Sequence, residues 1–341
     1  METTATFYVG IDVSKPYFDA SIMQVIDHKK GELQTEQFPN SKEGLLLFQK
    51  WCKSAGAKKM QQLFVVIENT GLYHRPIWQF CSKQNIALHI GNAAQIKWSL
   101  GITRGKNDKI DSKRLCNYAF KNHDDLQATA ALNPVFLQLK DLMTARTNLL
   151  CHYTATKSYL KELSPSNAKA TQALLEQAHK AALEGLKKSI EKIEAAIAQI
   201  INEEASIKNN YDLIKTIPGI GHITAVYIIC CTNNFAGKIS GKQLASYAGV
   251  VPFEHTSGIS VKGKNRVHKM ANKDLKKLLH LCALAAIKYD TEMKAYYDRK
   301  KAEGKNGMLV LNAIRNKLIL RVAAVVNNQT PFVSNYKHAC K

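Results

Sequence analysis

The sequence predicts an α/β N-terminal part, a connector of two long helices, and a mostly helical, basic C-terminal part. Three observations carry this reading. Up to about residue 128, segments that alternate apolar and polar residues are interspersed with helical patterns. From 129 to 208 the chain has few aromatics and a narrow aliphatic stripe at heptad spacing. From 209 to 341 a Pro-Gly turn between apolar helical segments precedes a dense basic run.

The N-terminal elements follow in order. TATFYVGIDV is a strand with Phe7, Val9, Ile11 and Val13 on one face. YFDASIMQV and ELQTEQF continue it as hairpin strands. LLLFQKWC is helical, QLFVVIE is a buried strand, LYHRPIWQFCSK is helical, and IALHI is a strand. A helix carrying Asp108 and Asp111 comes next. Three strands followed by strand–helix alternation imply a mixed sheet covered by helices.

In the connector, Asn133-Pro134 is a helix start, with Pro at the first helical position, and the helix can run to about Leu163. SPSN at Ser164 to Asn167 is a turn signal. Leu183, Leu186, Ile190, Ile193, Ile197 and Ile200 then form a heptad seam that breaks at Glu204 and resumes at Ile207. The pattern is that of an antiparallel helical hairpin able to pair with a second copy. In the last part, LIKTIPGIGHITAVYI has a helix-hairpin-helix pattern. Its turn runs through Gly219 and Gly221, and amides at the second helix's start can face a phosphate.

Composition points to the partner. Lys plus Arg is 48 against 27 Asp plus Glu, a formal net charge of +21. That balance calls for a polyanion, above all nucleic acid. The eight cysteines form no C-x-x-C pair, so zinc-ribbon and thioredoxin chemistry are excluded. No signal-peptide pattern opens the chain, and its longest apolar stretch, near ITAVYIICC, is too short to span a bilayer. The expectation is a cytosolic protein with reduced thiols.

Against this basic background, RGKNDKIDSKRL places Asp108 and Asp111 about one helical turn apart. Asp12 lies on the strand face opposite Phe7, Val9 and Ile11, and Glu68 ends a buried strand. Each acid has an ordinary explanation: a strand end, a lysine partner, or a favourable helix start. Taken together, four converging acids would repel one another and raise their pKa values. A divalent metal resolves that conflict: Mg²⁺ takes hard oxygen ligands and, in pairs, clamps an in-line phosphoryl displacement. Lys106, Lys109, Lys113 and Arg114 would hold the phosphate backbone nearby.

A second constellation runs from His255 to Lys277. It holds Lys262, Lys264, Arg266, Lys269, Lys273, Lys276 and Lys277 against the single acid Asp274. Within it Ser257 precedes Gly258. A serine in a basic pocket can attack phosphorus once activated. Chemistry alone favours a loop serine bonded to its own backbone, and Thr256 and Ser260 are equally nucleophilic. GKISGK at 237–242 resembles a phosphate-binding loop, but its spacing is wrong and Gln243 follows where Ser or Thr is needed.

These motifs, VGIDVSK, VIENTG, KNDKIDSKRL, TIPGIGHITA and YAGVVPFEHTSGISVKG, resemble in order the DEDD insertion-sequence transposases, also called bridge recombinases, over nearly the whole chain. Asn107 stands where that family commonly has Thr. The resemblance implies a ribonuclease-H-like N-terminal domain at 1–128, a coiled-coil connector at 129–208 and a transposase domain at 209–341. It implies that Ser257 forms a phosphoserine link to DNA, assisted by Asp12, Glu68, Asp108 and Asp111 with Mg²⁺ or Mn²⁺. It also implies a structured guide RNA pairing with donor and target DNA, homodimers and homotetramers, and association with the nucleoid. A metal-dependent, junction-resolving nuclease would need the four acids but not Ser257. A noncatalytic nucleic-acid-binding protein would need only the helix-hairpin-helix and the basic run.

Overall fold

A computed structural model describes residues 6–99, 108–163, 168–237, 239–253, 256–257, 261–263, 267 and 270–334. The chain divides into two compact units, Met1–Asn133 and Pro134–Lys341.

The N-terminal unit is built on a five-stranded sheet of order β3-β2-β1-β4-β5. Its strands are β1 (Thr6–Val13), β2 (Tyr17–Ile26), β3 (Lys29–Pro39), β4 (Leu63–Glu68) and β5 (Ala87–Gly91). The first three form an antiparallel meander, and β1, β4 and β5 run parallel, so the sheet is mixed as the alternation implies. Among the described residues, four α-helices accompany it: α1 (Lys42–Ser54), α2 (Arg75–Gln84), α3 (Ala93–Ser99) and α4 (Asp108–Lys121). Of these, α3 has no counterpart in the sequence reading, because seven residues give too little periodicity to register.

Alternation along the strands divides the unit into two cores. Phe7, Val9 and Ile11 of β1, Phe18 of β2 and Val65 and Ile67 of β4 pack with Phe48 of α1 and Ile77 of α2. Tyr8, Met23 and Val66, from the other side of the same strands, pack with Leu115, Cys116 and Ala119 of α4. Period two on the strands thus assigns one face to α1 and α2 and the other to α4. Contact with α4 is unusually close. A Cβ on Gly10 would lie 2.1 Å from the Cys116 nitrogen and 2.3 Å from the Ser112 oxygen. Only a residue without a side chain lets the helix backbone rest on β1 there.

The C-terminal unit is mostly helical. A pair of long helices, α5 (Pro134–Leu163) and α6 (Lys169–Glu203), packs along its length. The first begins at the proline that the sequence marks, and the second ends where the heptad breaks. Ser164 to Asn167, read as the turn between them, lie outside the described residues. Along the seam, Leu183, Leu186, Ile190 and Ile193 are half-buried, whereas Ile197, Ile200 and Ile201 are buried. The seam therefore passes from a solvated pair into the core of the unit.

That core is completed by α7 (Ala205–Lys215), α8 (His222–Thr232), α9 (Gly241–Tyr247), α10 (Lys273–Tyr289), α11 (Thr291–Ala302) and α12 (Gly307–Asn328). Gly219, in the turn between α7 and α8, has φ +90°, and a Cβ there would meet the Ala286 nitrogen and Cys282 oxygen of α10 at 2.8 Å. The GKISGK stretch ends in a capping box at the start of α9: Ser240 Oγ accepts from the Gln243 amide at 3.2 Å, and Gln243 Oε1 accepts from the Ser240 amide at 2.9 Å. A two-stranded hairpin pairs β6 (Thr256–Ser257) with β7 (Val261–Lys262), placing Ser257 opposite Val261. No described helix is long and apolar enough to cross a membrane.

The Gly10 contact gives a direct test. Gly10→Ala puts a methyl group against backbone that cannot rotate away, so it should lower the unfolding free energy by about 1–3 kcal/mol, the range for overpacked cores. Urea denaturation of the two proteins measures the difference, and equal midpoints would mean that α4 yields without resistance.

A carboxylate cluster as candidate active site

Parallel pairing of β1 with β4 sets the first two acids side by side. Ile11 pairs with Ile67, so Asp12 and Glu68 are the next residues of adjacent strands. Both follow residues of the α1/α2 core, and alternation turns them to the α4 side. Glu68 itself pairs with Gly91 of β5. The first turn of α4 supplies Asp108 and Asp111. Their location follows from the Gly10 contact, because Ser112 and Cys116 touch β1 and Asp108 lies one turn before Ser112.

A hydroxyl chain locks the helix in register. Thr35 Oγ1 and Ser21 Oγ are 2.8 Å apart, Ser21 Oγ and the buried Ser112 Oγ are 2.8 Å apart, and Ser112 donates to the Lys109 carbonyl at 3.0 Å. Cys116 Sγ donates to the Tyr8 carbonyl at 3.2 Å. The start of α4 is thereby tied to three strands.

The cluster is electrostatically loaded. Asp12 has its pKa raised to about 6, first by burial and then by the charges of Asp108, Asp111 and Glu68. The other three acids singled out in the sequence therefore all act on Asp12. Two neighbours moderate the charge: Arg114 Nη1 donates to Asp111 Oδ1 at 2.7 Å, and the Tyr17 hydroxyl donates to Asp108 Oδ2 at 3.2 Å.

A fifth carboxylate is present that sequence reasoning missed. Asp19 of β2 is the cross-strand partner of Asp12 and is 1% exposed. Its Oδ2 accepts from Gln37 Nε2 at 3.1 Å, and its buried Oδ1 has no hydrogen-bond partner. The signal was available, since an acid in the middle of an apolar strand is rarely buried without a task.

The donor chemistry fits a hard divalent cation: every group is a carboxylate, and the repulsion at Asp12 is what a cation cancels. The cage is not preassembled. Among the described residues, no three His, Cys, Asp or Glu side chains are already grouped so as to hold a metal ion. Arg114 and Tyr17 each engage one oxygen of Asp111 and Asp108, respectively, which leaves the second oxygen of each acid as a ligand for a metal.

The remaining predicted residues fall differently. Lys109 and Lys113 are exposed on α4, while Arg114 is turned to Asp111. Gly219 packs on α10, and Gly221 is the N-cap of α8 with open space before its Cα. Ser257 and Lys262 are described as backbone in the β6–β7 hairpin. Lys106, Lys264, Arg266, Lys269 and Ser260 lie outside the described residues.

Two comparisons with known proteins bear on this arrangement. The family model for IS110-type DEDD transposases, described as a transposase, matches residues 9–163, and that of the "Transposase IS116/IS110/IS902 family" matches residues 211–298. Over 335 residues the chain is 28% identical to the pilin gene-inverting protein of Moraxella bovis, covering 95% of this chain and 97% of that one. The Moraxella lacunata protein of the same name shows the same identity and coverage. The insertion element IS110 uncharacterized 43.6 kDa protein of Streptomyces coelicolor is 29% identical over 122 residues, 36% of this chain and 30% of that protein.

A mixed sheet with acids gathered near the ends of its inner strands β1 and β4, matched in both parts to transposases, defines the class: a DNA transposase or recombinase. The chain belongs to the IS110/IS116/IS902 transposase family, in its DEDD type, which points to use of a divalent metal.

The Asp12 shift predicts a pH dependence in EDTA. A raised pKa means that the folded protein binds a proton at pH values where the unfolded chain has released it, so stability falls as pH rises from about 4 through about 6. Asp12→Asn lacks this penalty. It should be more stable than the wild type at neutral pH, with the advantage vanishing on acidification below about 4. Chemical denaturation across that range measures it, and a constant difference would remove Asp12 from the repulsive cluster.

Proposed function

We propose that this protein cuts and rejoins DNA through a phosphoserine formed on Ser257, with Asp12, Glu68, Asp108 and Asp111 holding Mg²⁺ or Mn²⁺. A structured guide RNA pairs with donor and target DNA. The observation that carries the reading is the gathering of four carboxylates, where burial, and then the charges of Asp108, Asp111 and Glu68, raise the pKa of Asp12 to about 6, a penalty that a cation would offset. Family membership supports the DNA substrate, and the TSG motif around Ser257 supports the nucleophile.

In this reading Ser257 Oγ loses its proton to a base and forms a bond to phosphorus. The bond from phosphorus to the departing strand's oxygen breaks, and that oxygen takes up a proton. A hydroxyl end of a new strand later attacks the phosphoserine, restoring a phosphodiester and the free serine, so no bond is lost to water. A divalent cation held by the carboxylates would stabilise charge on the phosphoryl oxygens. Asp19 stands opposite Asp12 on the neighbouring strand. Lys106, Lys109, Lys113 and Arg114 beside the acids, and Lys262, Lys264, Arg266 and Lys269 beside the serine, hold phosphates. The amides near Gly219 and Gly221 serve the same role in a helix-hairpin-helix. The division into a ribonuclease-H-like part, a coiled-coil connector from 129 to 208 and a transposase part belongs to the same reading. So does assembly into dimers and tetramers through the half-buried seam of α6.

The test is denaturing electrophoresis of labelled DNA with protein, Mg²⁺ and RNA that co-purifies with it. The wild type should give a covalent protein–DNA adduct and recombinant product, both lost in EDTA. Ser257→Ala should keep DNA binding and lose both species, while Ser260→Ala keeps the adduct. Adduct in Ser257→Ala would reassign the nucleophile. Cleavage by the wild type without any adduct would favour a hydrolytic nuclease.

A further inference from the structure

Some of the positive charge of the C-terminal unit is gathered rather than spread over its surface. Lys273, Lys276, Lys277 and His280 of α10, with Arg315 of α12 and Leu281, line an open pocket of about 440 Å³. Arg315 is only 6% exposed. Its Nη2 lies 2.8 Å from His280 Nδ1, and its buried Nε has no partner. A guanidinium only donates, so Nδ1 accepts and the ring proton of neutral His280 sits on Nε2, a further donor. The one carboxylate near α10's start, Asp274, is exposed and faces Lys277 at 3.7 Å. Among the described residues no carboxylate is paired with Arg315, Lys273 or Lys276.

Elementary electrostatics makes this arrangement unfavourable without a counter-ion. Arginine cannot escape burial by losing its proton, and a buried charge without a partner is strongly destabilising. Burial lowers the pKa of Arg315, and burial together with the Arg315 charge lowers that of Lys276. The three lysines also crowd the N-terminal turns of α10, where the helix dipole is already positive. The end of the helix is nevertheless fixed. Asn272 Oδ1 accepts from the Leu275 amide at 2.9 Å and from the Tyr227 hydroxyl at 3.1 Å, and its Nδ2 donates to the Tyr247 hydroxyl at 2.9 Å. An anion cancels the repulsion without any rearrangement.

We propose that this pocket between α10 and α12 binds a phosphate group of the nucleic-acid backbone, held by Arg315 and Lys276. The inference rests on the reading of the protein as one that handles DNA and RNA. Arginine presents a planar fork suited to phosphate oxygens, and lysine adds a point charge. Apart from the His280 ring, which is hydrogen-bonded to Arg315, the described lining holds no aromatic side chain on which a base could stack and no amide to read a base edge. The site therefore positions a strand without selecting its sequence. Lys273, Lys276 and Lys277 close the basic run that the sequence displays, and only the fold adds His280 and Arg315 to them.

The experiment uses the full chain, with Lys276→Gln as the main variant, because Lys276 is half-buried at the rim and its loss leaves the core of α10 intact. At fixed ionic strength, pyrophosphate should raise the thermal midpoint of the wild type. It should do so far less for Lys276→Gln, and Lys276→Arg should restore the rise. Separately, the salt dependence of binding to duplex DNA should lose about 0.9 from its log–log slope in Lys276→Gln, the value for one phosphate contact. Both results together support the site. A pyrophosphate effect identical in wild type and Lys276→Gln overturns it. A pyrophosphate effect lost with an unchanged DNA slope assigns the pocket to a free phosphate compound and overturns the backbone assignment. Absence of adduct and recombinant product in the wild type would refute the proposed catalysis yet leave both of these measurements intact.

Discussion

The close approach of α4 to β1 at Gly10 is the contact on which the gathering of the four carboxylates depends. Strand pairing alone brings Asp12 next to Glu68, because β1 and β4 run parallel in a register that joins Ile11 to Ile67. Asp108 and Asp111 join them only because the helix backbone lies against the strand, a position that even a methyl group would forbid. The Thr35–Ser21–Ser112 hydroxyl chain then prevents the helix from sliding. Two apolar cores, one on each face of the sheet, supply the free energy that holds like charges together.

Repulsion is therefore stored in the N-terminal unit rather than relieved. Arg114 and the Tyr17 hydroxyl take the edge off Asp111 and Asp108, while Asp19 keeps one oxygen without a partner beneath the cluster. The C-terminal unit has the reverse problem, a buried arginine among lysines. Each is a local departure from the rule that buried charges are paired. Such departures are expected where a protein binds ions of the missing sign, which is the basis of the metal and phosphate sites proposed above.

Four of the described thiols are packed away in the cores. Cys52, Cys81, Cys116 and Cys282 are buried, and burial pushes each thiol above its ordinary range. Thiolates are the reactive form, so these four serve as small core residues.

The sequence by itself determined the strands, the long helices and the four acids. Period-two apolarity in β1, the proline at the start of α5 and the heptad break at Glu204 are local signals that neighbouring residues enforce. It also displayed the basic run after His255, because charge density needs no fold to be read. Short α3 escaped, while GKISGK, excluded as a phosphate loop by its spacing and by Gln243, supplies the serine that caps α9 together with that glutamine. Tertiary structure alone decided which residues meet. Asp19 faces Asp12 through strand register, Gly10 admits α4 through the absence of a side chain, Gly219 packs against α10, and Arg315 reaches His280 across 35 residues of chain. Those contacts depend on elements distant in sequence, and local propensity carries no information about which surfaces the collapse of an apolar core will press together.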